Sequence, residues 1–592
     1  MSRSFCCLII ALWCCCFYTA AHAADDTPSP TKTITVKQWE EMEAAVKEGK
    51  VKGDTSWMMI STALVMLMVP GLALFYGGMV RRKNVLGTMM QSMVPLAIVG
   101  VYWVVCGYSL AFGSSKAGLI GWSSDLFCLH GIKPDAMLPN TNIPVYLHVL
   151  FQGMFAIITP ALISGAMAER IRFLPYCIFV LFWSVFVYTP LAHWVWAMDW
   201  FGSTPGTFGT GTEYVGWLGA KPGKGLGALD FAGGTVVHIA AGLAGLAAVI
   251  VLPARRGFPN HPIHPNSIIL TLLGAGLLWF GWFGFNAGSA TASGSNASSA
   301  FMATQVAAAA AALSWMLVEW LHRKKTTALG FASGLVAGLV AVTPASGFIL
   351  PSAAAIIGLL AGMICYVAVY LKTLLKYDDS LDAFGVHGVA GFLGAVLTGI
   401  FWYKSVNDPS NAAGTDGFFA GGGFSQVSAQ LYAAGIAALF SFVVSFVFIK
   451  VLKKVARLHA NEEIESEGLD LTQHGEIGLE LSGDISEPVV RAVPRHAMVP
   501  PNGVKRFTLR LDGIDQQELT EKWSKFCQET DEPLNADFRA IYSHVTTVEG
   551  NRFRFRYGDP EKLIPHLEKL FQDRLIRTNI KAVLETKPAQ AA

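Results

Sequence analysis

The chain reads as an all-α polytopic membrane protein of eleven transmembrane helices, with a small α+β cytoplasmic domain appended. Three observations carry this reading. Of 592 residues, 53% are hydrophobic and only 15% are charged, whereas a soluble chain carries roughly a quarter charged residues. The deficit is concentrated between residues 57 and 455, where apolar stretches follow one another, each near the ~20 residues a spanning helix needs. Beyond residue 459 the composition turns polar and acidic. A formal net charge of +2 says nothing about partners. Without a basic run or a zinc-type Cys/His spacing, the sequence argues against nucleic-acid binding.

Residues 1–23 read as a secretory signal. Arg3 precedes a short apolar run from Phe5 to Tyr18, and Ala21-His22-Ala23 offers a cleavage site. The alternative is a first membrane anchor, for which the run is short. Five of the ten cysteines lie in this segment. The others (Cys106, Cys128, Cys177, Cys365 and Cys527) are scattered and form no metal or disulfide framework. Residues 24–56 form a segment outside the membrane, in which TVKQWEEMEAAVKEGK reads as a short helix.

The spans are expected at 57–79, 86–112, 145–167, 173–197, 227–252, 266–286, 300–321, 329–343, 352–375, 384–402 and 426–452. The eighth is short and ends at Thr343-Pro344. Basic residues fall in every second loop: Arg81-Arg82-Lys83, Arg170/Arg172, Arg255-Arg256, Arg323-Lys324-Lys325 and Lys372/Lys376. More follow the last span. The positive-inside rule then puts the mature N-terminus outside and the C-terminus in the cytoplasm, in agreement with a cleaved signal. Gly330, Gly334 and Gly338, and the pair Gly358/Gly362, suit close helix packing.

Two histidines lie deep in apolar stretches, each eight residues after an aspartate: His238 after Asp230, and His387 after Asp379. An ionisable residue inside a span is expensive and marks a functional site by default. Eight helical residues rise about 12 Å, so both histidines are expected near the midplane of a ~30 Å core, approached from opposite faces. That is the pattern of two inverted five-helix repeats, spans 1–5 against 6–10, with a site between them.

Residues 456–502 read as a cytoplasmic tail and linker, and 503–587 as a separate domain. KRFTLRL is a strand and QQELTEKWSKFCQET an amphipathic helix. RAIYSHVTTVEGNRFRFRYG is a hairpin turning near Gly550-Asn551, PEKLIPHLEKLF a second helix and IRTNIKAVLE a last strand. The order βαββαβ predicts a ferredoxin-like fold. It contains no catalytic constellation, and such a domain more often binds, oligomerises or regulates.

Several long runs resemble the ammonium transporters of the Amt/Mep/Rh superfamily, in their bacterial form. They are PGLALFYGGMVRRKNVL (70–86), FQGMFAIITPALISGAMAERIRF (151–173), DFAGGTVVH (230–238), WFGFNAGS (282–289) and DAFGVHGVAG (382–391). The resemblance extends over about residues 57–480, including EGLDLTQHGE, and leaves out the N-terminal region and the C-terminal domain. It implies eleven helices, a homotrimer with one pore per subunit, no cofactor, no metal and no enzymatic activity. It implies an ammonium/ammonia substrate, a lipid surround in the bacterial inner membrane, and a P-II-type signalling protein as a partner.

The resemblance also implies roles for residues. Phe151, Trp196 and Ser289 correspond to an outer vestibule that recruits ammonium, since aromatic faces attract cations and a hydroxyl can accept an N–H that K+ lacks. Phe155 and Phe285 correspond to a stacked hydrophobic gate, with Trp282 lining the pore nearby. His238 and His387 correspond to a hydrogen-bonded pair that meets ammonia or relays a proton. Asp230 has two readings, one as an ammonium-attracting or deprotonating group and one as a helix cap shaping the vestibule. The second is preferred. Asp379 is its counterpart on the inner side. Asn84 and Asn286 read as packing hydrogen-bonders.

Three functions compete: a transporter, a sensor that reports pore occupancy through the C-terminal domain, and an Rh-like gas channel. The intact pore residues favour transport.

Overall fold

The computed structural model describes residues 34–220, 227–260, 263–407, 416–479 and four strands farther along the chain. The expected leader, 1–23, lies outside the described residues. Contacts divide the chain into two units, Met1–Leu481 and Ser482–Ala592.

Ten helices of the first unit are long and apolar enough to cross a membrane: α1 (Val36–Met79), α2 (Arg82–Phe112), α3 (Val145–Met167), α4 (Phe173–Trp196), α5 (Gly234–Val251), α6 (Ile268–Gly288), α7 (Ser295–Arg323), α9 (Pro351–Leu375), α10 (Phe384–Phe401) and α11 (Ser425–Val455). Between α7 and α9 lies the shorter α8 (Ala328–Val342). The eleven apolar segments expected from hydropathy are therefore all helical.

Two boundaries differ from the expectation in ways that matter. The first helix starts at Val36 rather than near 57, so the polar helix and the first span are one continuous element. Thr35 and Gln38 close its start with a reciprocal capping box. The fifth helix starts at Gly234, not 227, because Gly233 takes a left-handed φ of 109° that ends the incoming extended chain.

The glycines of α8 and α9 grip α7 from two sides. A Cβ on Gly338 would lie 2.5 Å from the Ala307 carbonyl oxygen, and one on Gly358 would lie 2.3 Å from the same atom. Three backbones therefore approach closely along an alanine-rich helix, where dispersion contacts replace the hydrophobic drive that lipid does not supply.

After α11 the chain turns back onto this unit as far as residue 479. Arg172 N–H donates to the Leu458 carbonyl at 3.0 Å and Ala460 N–H to that of Arg170 at 2.8 Å. A short helix, α12 (Glu462–Glu467), starts at Asn461, whose side chain accepts from Ile464 N–H. Asp470 then accepts from Leu86 N–H (3.0 Å) and Gly87 N–H (2.7 Å) near the start of α2. The segment read as a cytoplasmic tail is docked over this stretch as far as residue 479, because its acidic side chains satisfy backbone groups that a helix start leaves open.

Apart from the short pair β1 (Ser115–Lys116) and β2 (Ile120–Gly121) in the first unit, the described strands belong to the second. They are β3 (Phe507–Asp512), β4 (Val545–Glu549), β5 (Arg552–Phe555) and β6 (Lys581–Glu585). They form one antiparallel sheet in the order β4-β5-β3-β6. Glu549 pairs with Arg552, so β4 and β5 are antiparallel neighbours; the turn expected at Gly550-Asn551 lies outside the described residues. The two helices expected between these strands lie outside the described residues.

Candidate functional site

The two histidine-bearing segments are built alike. In each, a left-handed residue precedes the helix: Gly233 before α5, and Asp382 (φ 61°) before α10. Each helix then opens with a wide π-helical turn, Gly234–Ile239 and Phe384–Gly388. His238 N–H bonds the Gly233 carbonyl five residues back, at 3.0 Å. Such turns are uncommon and concentrate at functional sites.

An aspartate caps each start. Asp230 Oδ1 accepts from Gly233 N–H (2.9 Å), and its Oδ2 from Thr235 N–H (2.9 Å) and Val236 N–H (3.1 Å). Asp379 Oδ1 accepts from Ala383 N–H (3.1 Å) and Oδ2 from Phe384 N–H (2.8 Å). Both carboxylates are buried. They occupy the orphan donors of a helix N-terminus, where negative charge is favoured. This corrects the spacing argument. Residues 230–233 and 379–382 are not helical, so the eight-residue offset is not a 12 Å rise, and each histidine sits in the opening turns of its helix.

The two helices cross at glycine. A Cβ on Gly242 would lie 2.2 Å from Gly388 N and 2.3 Å from its Cα. One on Gly391 would lie 2.9 Å from His238 Cβ. This contact brings His238 Nδ1 to 3.3 Å from His387 Nδ1, with the rings 14° from parallel. Both side chains are buried. His238 Nε2 has no hydrogen-bond partner within the described protein.

Aromatic rings stack around the pair. Trp282 lies 5.4 Å from His238 at 15°, and its Nε1 donates to Thr343 Oγ1 at 2.9 Å. Thr343 directly follows the short α8, whose early end at Thr343-Pro344 thus holds the tryptophan. Phe285 and Phe155 stack at 4.1 Å and 17°. Phe151 is fully buried, 5.0 Å from Phe155. Trp196 meets Phe155 edge-on at 6.0 Å, and its Nε1 donates to the Asp230 carbonyl at 2.8 Å. Ser289 is partly exposed and donates to the Phe285 carbonyl at 2.8 Å. The ring contacts therefore join Phe151, Phe155, Phe285, Trp282 and the histidines into one chain of contacts. Trp196 and Ser289 stand at its other end and Asp379 on the start of α10.

Beside the histidines runs a narrow cavity lined mainly by apolar side chains, among them Met68, Leu72, Leu162, Leu278 and Val336, with His238, His387 and Phe285. It has room for about one water-sized molecule. Asn286, expected to be a packing residue, donates to Thr304 Oγ1 at 2.9 Å. Asn84 donates to Glu169 Oε1 at 2.9 Å and accepts from Leu469 N–H at 2.8 Å.

Glu169 belongs to an ionic cluster which sequence reasoning missed. Arg255 bridges Glu169 (2.8 Å) and Asp378 (2.7 Å), Arg170 pairs with Asp378 (3.0 Å), and Arg81 joins Glu169 (2.8 Å) to Glu465 (3.2 Å). Burial opposes ionisation of Glu169, but Arg255 and Arg81 outweigh it and hold its carboxyl below the usual range. Burial likewise opposes ionisation of Asp378, and the hydrogen bonds and charge of Arg255, with Arg170, prevail. Asp379 goes the other way. Burial first, then the neighbouring Asp382, push it up to about 6. The signal available in the sequence was a charge pair, Glu169-Arg170, directly after an apolar span. Among the described residues no cluster of His, Cys, Asp and Glu could hold a metal ion.

The family model for the Ammonium Transporter Family matches residues 56–479. The chain is 47% identical over 427 residues to an ammonium transporter of Bacillus subtilis, covering 72% of this chain and 98% of that relative. The solved structure of Saccharomyces cerevisiae Mep2 is similar with a TM-score of 0.60 at 33% identity, covering 69% of this chain and 88% of that one. A solved structure described as a Sensor Amt Protein is similar with a TM-score of 0.63 at 30% identity, covering 72% and 99%. The chain belongs to the Ammonium Transporter Family, and is a multi-pass membrane protein that transports ammonium rather than an enzyme.

Proposed function

We propose that the pore recruits ammonium at Phe151, Trp196 and Ser289, strips a proton from it and passes ammonia along the His238/His387 pair, with or without the proton. The observation that carries this reading is the buried histidine pair beside an apolar cavity of single-molecule width. An ammonium ion buried bare is unfavourable by several kcal/mol, whereas neutral ammonia avoids most of that penalty.

Each part has a chemical role in this reading. The Trp196 ring, oriented by its bond to the Asp230 carbonyl, attracts a cation by about 0.5–2 kcal/mol. The hydrogen of Ser289 is spent on the Phe285 carbonyl, which leaves its lone pairs to accept an N–H. Phe155 and Phe285 form a dry constriction that resists hydrated ions, and Phe151, 5.0 Å from Phe155, adjoins it on the vestibule side. Trp282 holds one side of the pore, and Asp230 and Asp379 act chiefly as caps. The free Nε2 of His238 offers ammonia a hydrogen-bond partner.

The finer organisation follows the same reading: a leader at 1–23, an outer segment at 24–56, a transporter domain at 57–455 in two inverted repeats, a tail and linker at 456–502, and a ferredoxin-like regulatory domain at 503–587. The sheet order β4-β5-β3-β6 suits that last fold. The chain is taken to form a homotrimer in the bacterial inner membrane, lipid-bound, with its N-terminus outside and a P-II-type protein as a cytoplasmic partner.

A second reading, an ammonium sensor signalling through residues 482–592, draws on the separate second unit and on the likeness to the Sensor Amt Protein structure. The test is ammonium-evoked current from purified protein on a solid-supported membrane, beside a His238→Ala/His387→Ala variant. A saturable current that the variant loses, or passes to K+, supports the transport reading. Ammonium binding without current in wild type, and in protein lacking 490–592, supports the sensor.

A further inference from the structure

The N-terminal half of α1 has no role in the pore and lies outside the family-matched residues, which begin at 56. At 44 residues α1 is about 66 Å long, twice the ~30 Å of a bilayer core. Its first twenty or so residues therefore stand beyond the membrane as a continuation of the span. They carry four lysines against four glutamates and one aspartate over 36–56. This near-neutral balance gives no attraction to an anionic lipid surface, unlike the Lys/Arg-rich face of an interfacial helix.

The charges are not spread evenly around this helix. At 100° per residue, the nine span about 200°, and the remaining arc of about 160° carries none. Along that arc run Trp39, Met42, Val46, Gly49 and Gly53, at intervals of three and four residues. That is the spacing of a coiled-coil seam. Trp39, Met42 and Val46 are 56%, 44% and 54% exposed, so among the described residues nothing covers the upper seam, while at its lower end a Cβ on Gly53 would meet Ser293 Oγ at 3.5 Å. A Cβ on Gly49 would meet nothing within 4 Å. Glycine in an exposed helix costs about 1 kcal/mol against alanine, and among the described residues nothing uses the space it leaves.

The seam leads down to Trp57, which lines a hollow of about 610 Å3 together with Ala297, Phe301 and Met302 of α7. The uncharged surface is thus continuous from the tip of α1 onto the flank of the membrane unit.

We propose that residues 36–53 are an intersubunit clasp, in which the uncharged seam packs in parallel against the same helix of a second copy. The proposal rests on the reading that copies assemble side by side. Copies sharing one membrane share one topology, so their extensions stand off the same face and run parallel. In that register Gln38 and Ala45 of one helix face Glu43 and Lys50 of the next, with no like charges opposed.

The test is disulfide trapping in membranes holding the full chain, with wild type as the background for native cysteines and native mass spectrometry for assembly state. Val46→Cys, on the seam, is expected to form a covalent dimer on mild oxidation. Glu48→Cys, on the charged side, is expected to form none. Equal trapping at both sites, or none at either, in protein that is oligomeric overturns the clasp while leaving assembly intact. Monomeric protein overturns both. Labelling of Val46→Cys by a lipid-borne probe in place of trapping assigns the face to lipid and also overturns the clasp.

Discussion

His238 and His387 face each other through the same ring atom, Nδ1 to Nδ1, at 3.3 Å. Two neutral imidazoles can do this only if one carries its proton on Nδ1 and the other on Nε2. The pair therefore holds one donor and one acceptor between the rings, and its outer nitrogens have opposite character.

Removing one ring leaves the other unpaired. A buried polar group without a partner costs about 1–3 kcal/mol. We expect His238→Ala or His387→Ala to lower ammonium current by roughly tenfold or more, since 1.4 kcal/mol corresponds to a factor of ten. Current at matched protein levels checks this. An unchanged current in both single variants would remove the pair from the conduction path.

Asp230 separates capping from substrate binding. Asp230→Ala strands three backbone N–H groups and should lower stability by about 0.5–2 kcal/mol as a lost cap, read as a drop in melting temperature in detergent. Asp230→Asn keeps one acceptor oxygen, able to serve Thr235 and Val236 N–H, and should lose less stability than Asp230→Ala. Transport lost in Asp230→Asn at wild-type stability would show that the carboxylate charge acts on ammonium directly.

Gly242 tests the crossing of α5 and α10. A methyl there meets the Gly388 backbone at 2.2 Å, which no side-chain movement relieves. Overpacking of this kind costs about 1–3 kcal/mol. Gly242→Ala should therefore reduce both melting temperature and current. Gly276→Ala, where a Cβ meets nothing within 4 Å, should be neutral or slightly stabilising because alanine favours helix by about 1 kcal/mol.

Arg255 tests the ionic cluster. Arg255→Ala leaves Glu169 and Asp378 short of their shared cation, and breaking a buried pair costs about 3–5 kcal/mol. The expected readout is pepsin cleavage within 458–479 under conditions where wild type resists. Acid should mimic the variant. Both carboxyls ionise more readily folded than unfolded. Their stabilisation is therefore complete above the unfolded values near 4 and is lost as pH falls below about 4. Wild type should resist cleavage at the upper end of the pepsin range and lose resistance below it. Resistance of the variant equal to wild type throughout would show that the cluster does not hold the tail.

Hydropathy alone determined the eleven helical segments, because membrane insertion is a local property of about twenty residues. The same reading picked out His238 and His387, since a lone ionisable group stands out against an apolar run. What it could not determine was geometry between segments. Its spacing argument counted Asp230 and Asp379 along the helix below the histidines, even though capping was the preferred role for Asp230, whereas the left-handed Gly233 and Asp382 put both carboxylates before the helix start. Hydropathy does not register φ.

Only the tertiary structure decided that Gly242 and Gly388 would meet, that Thr343 would hold Trp282, and that Glu465 and Asp470 would tie the tail to distant loops. Each of these depends on a hydrogen bond or a close backbone approach between residues far apart in sequence. A single sequence carries the capacity for such contacts in its glycines, hydroxyls and charges, and folding selects the partner by removing each pair from competition with solvent and lipid.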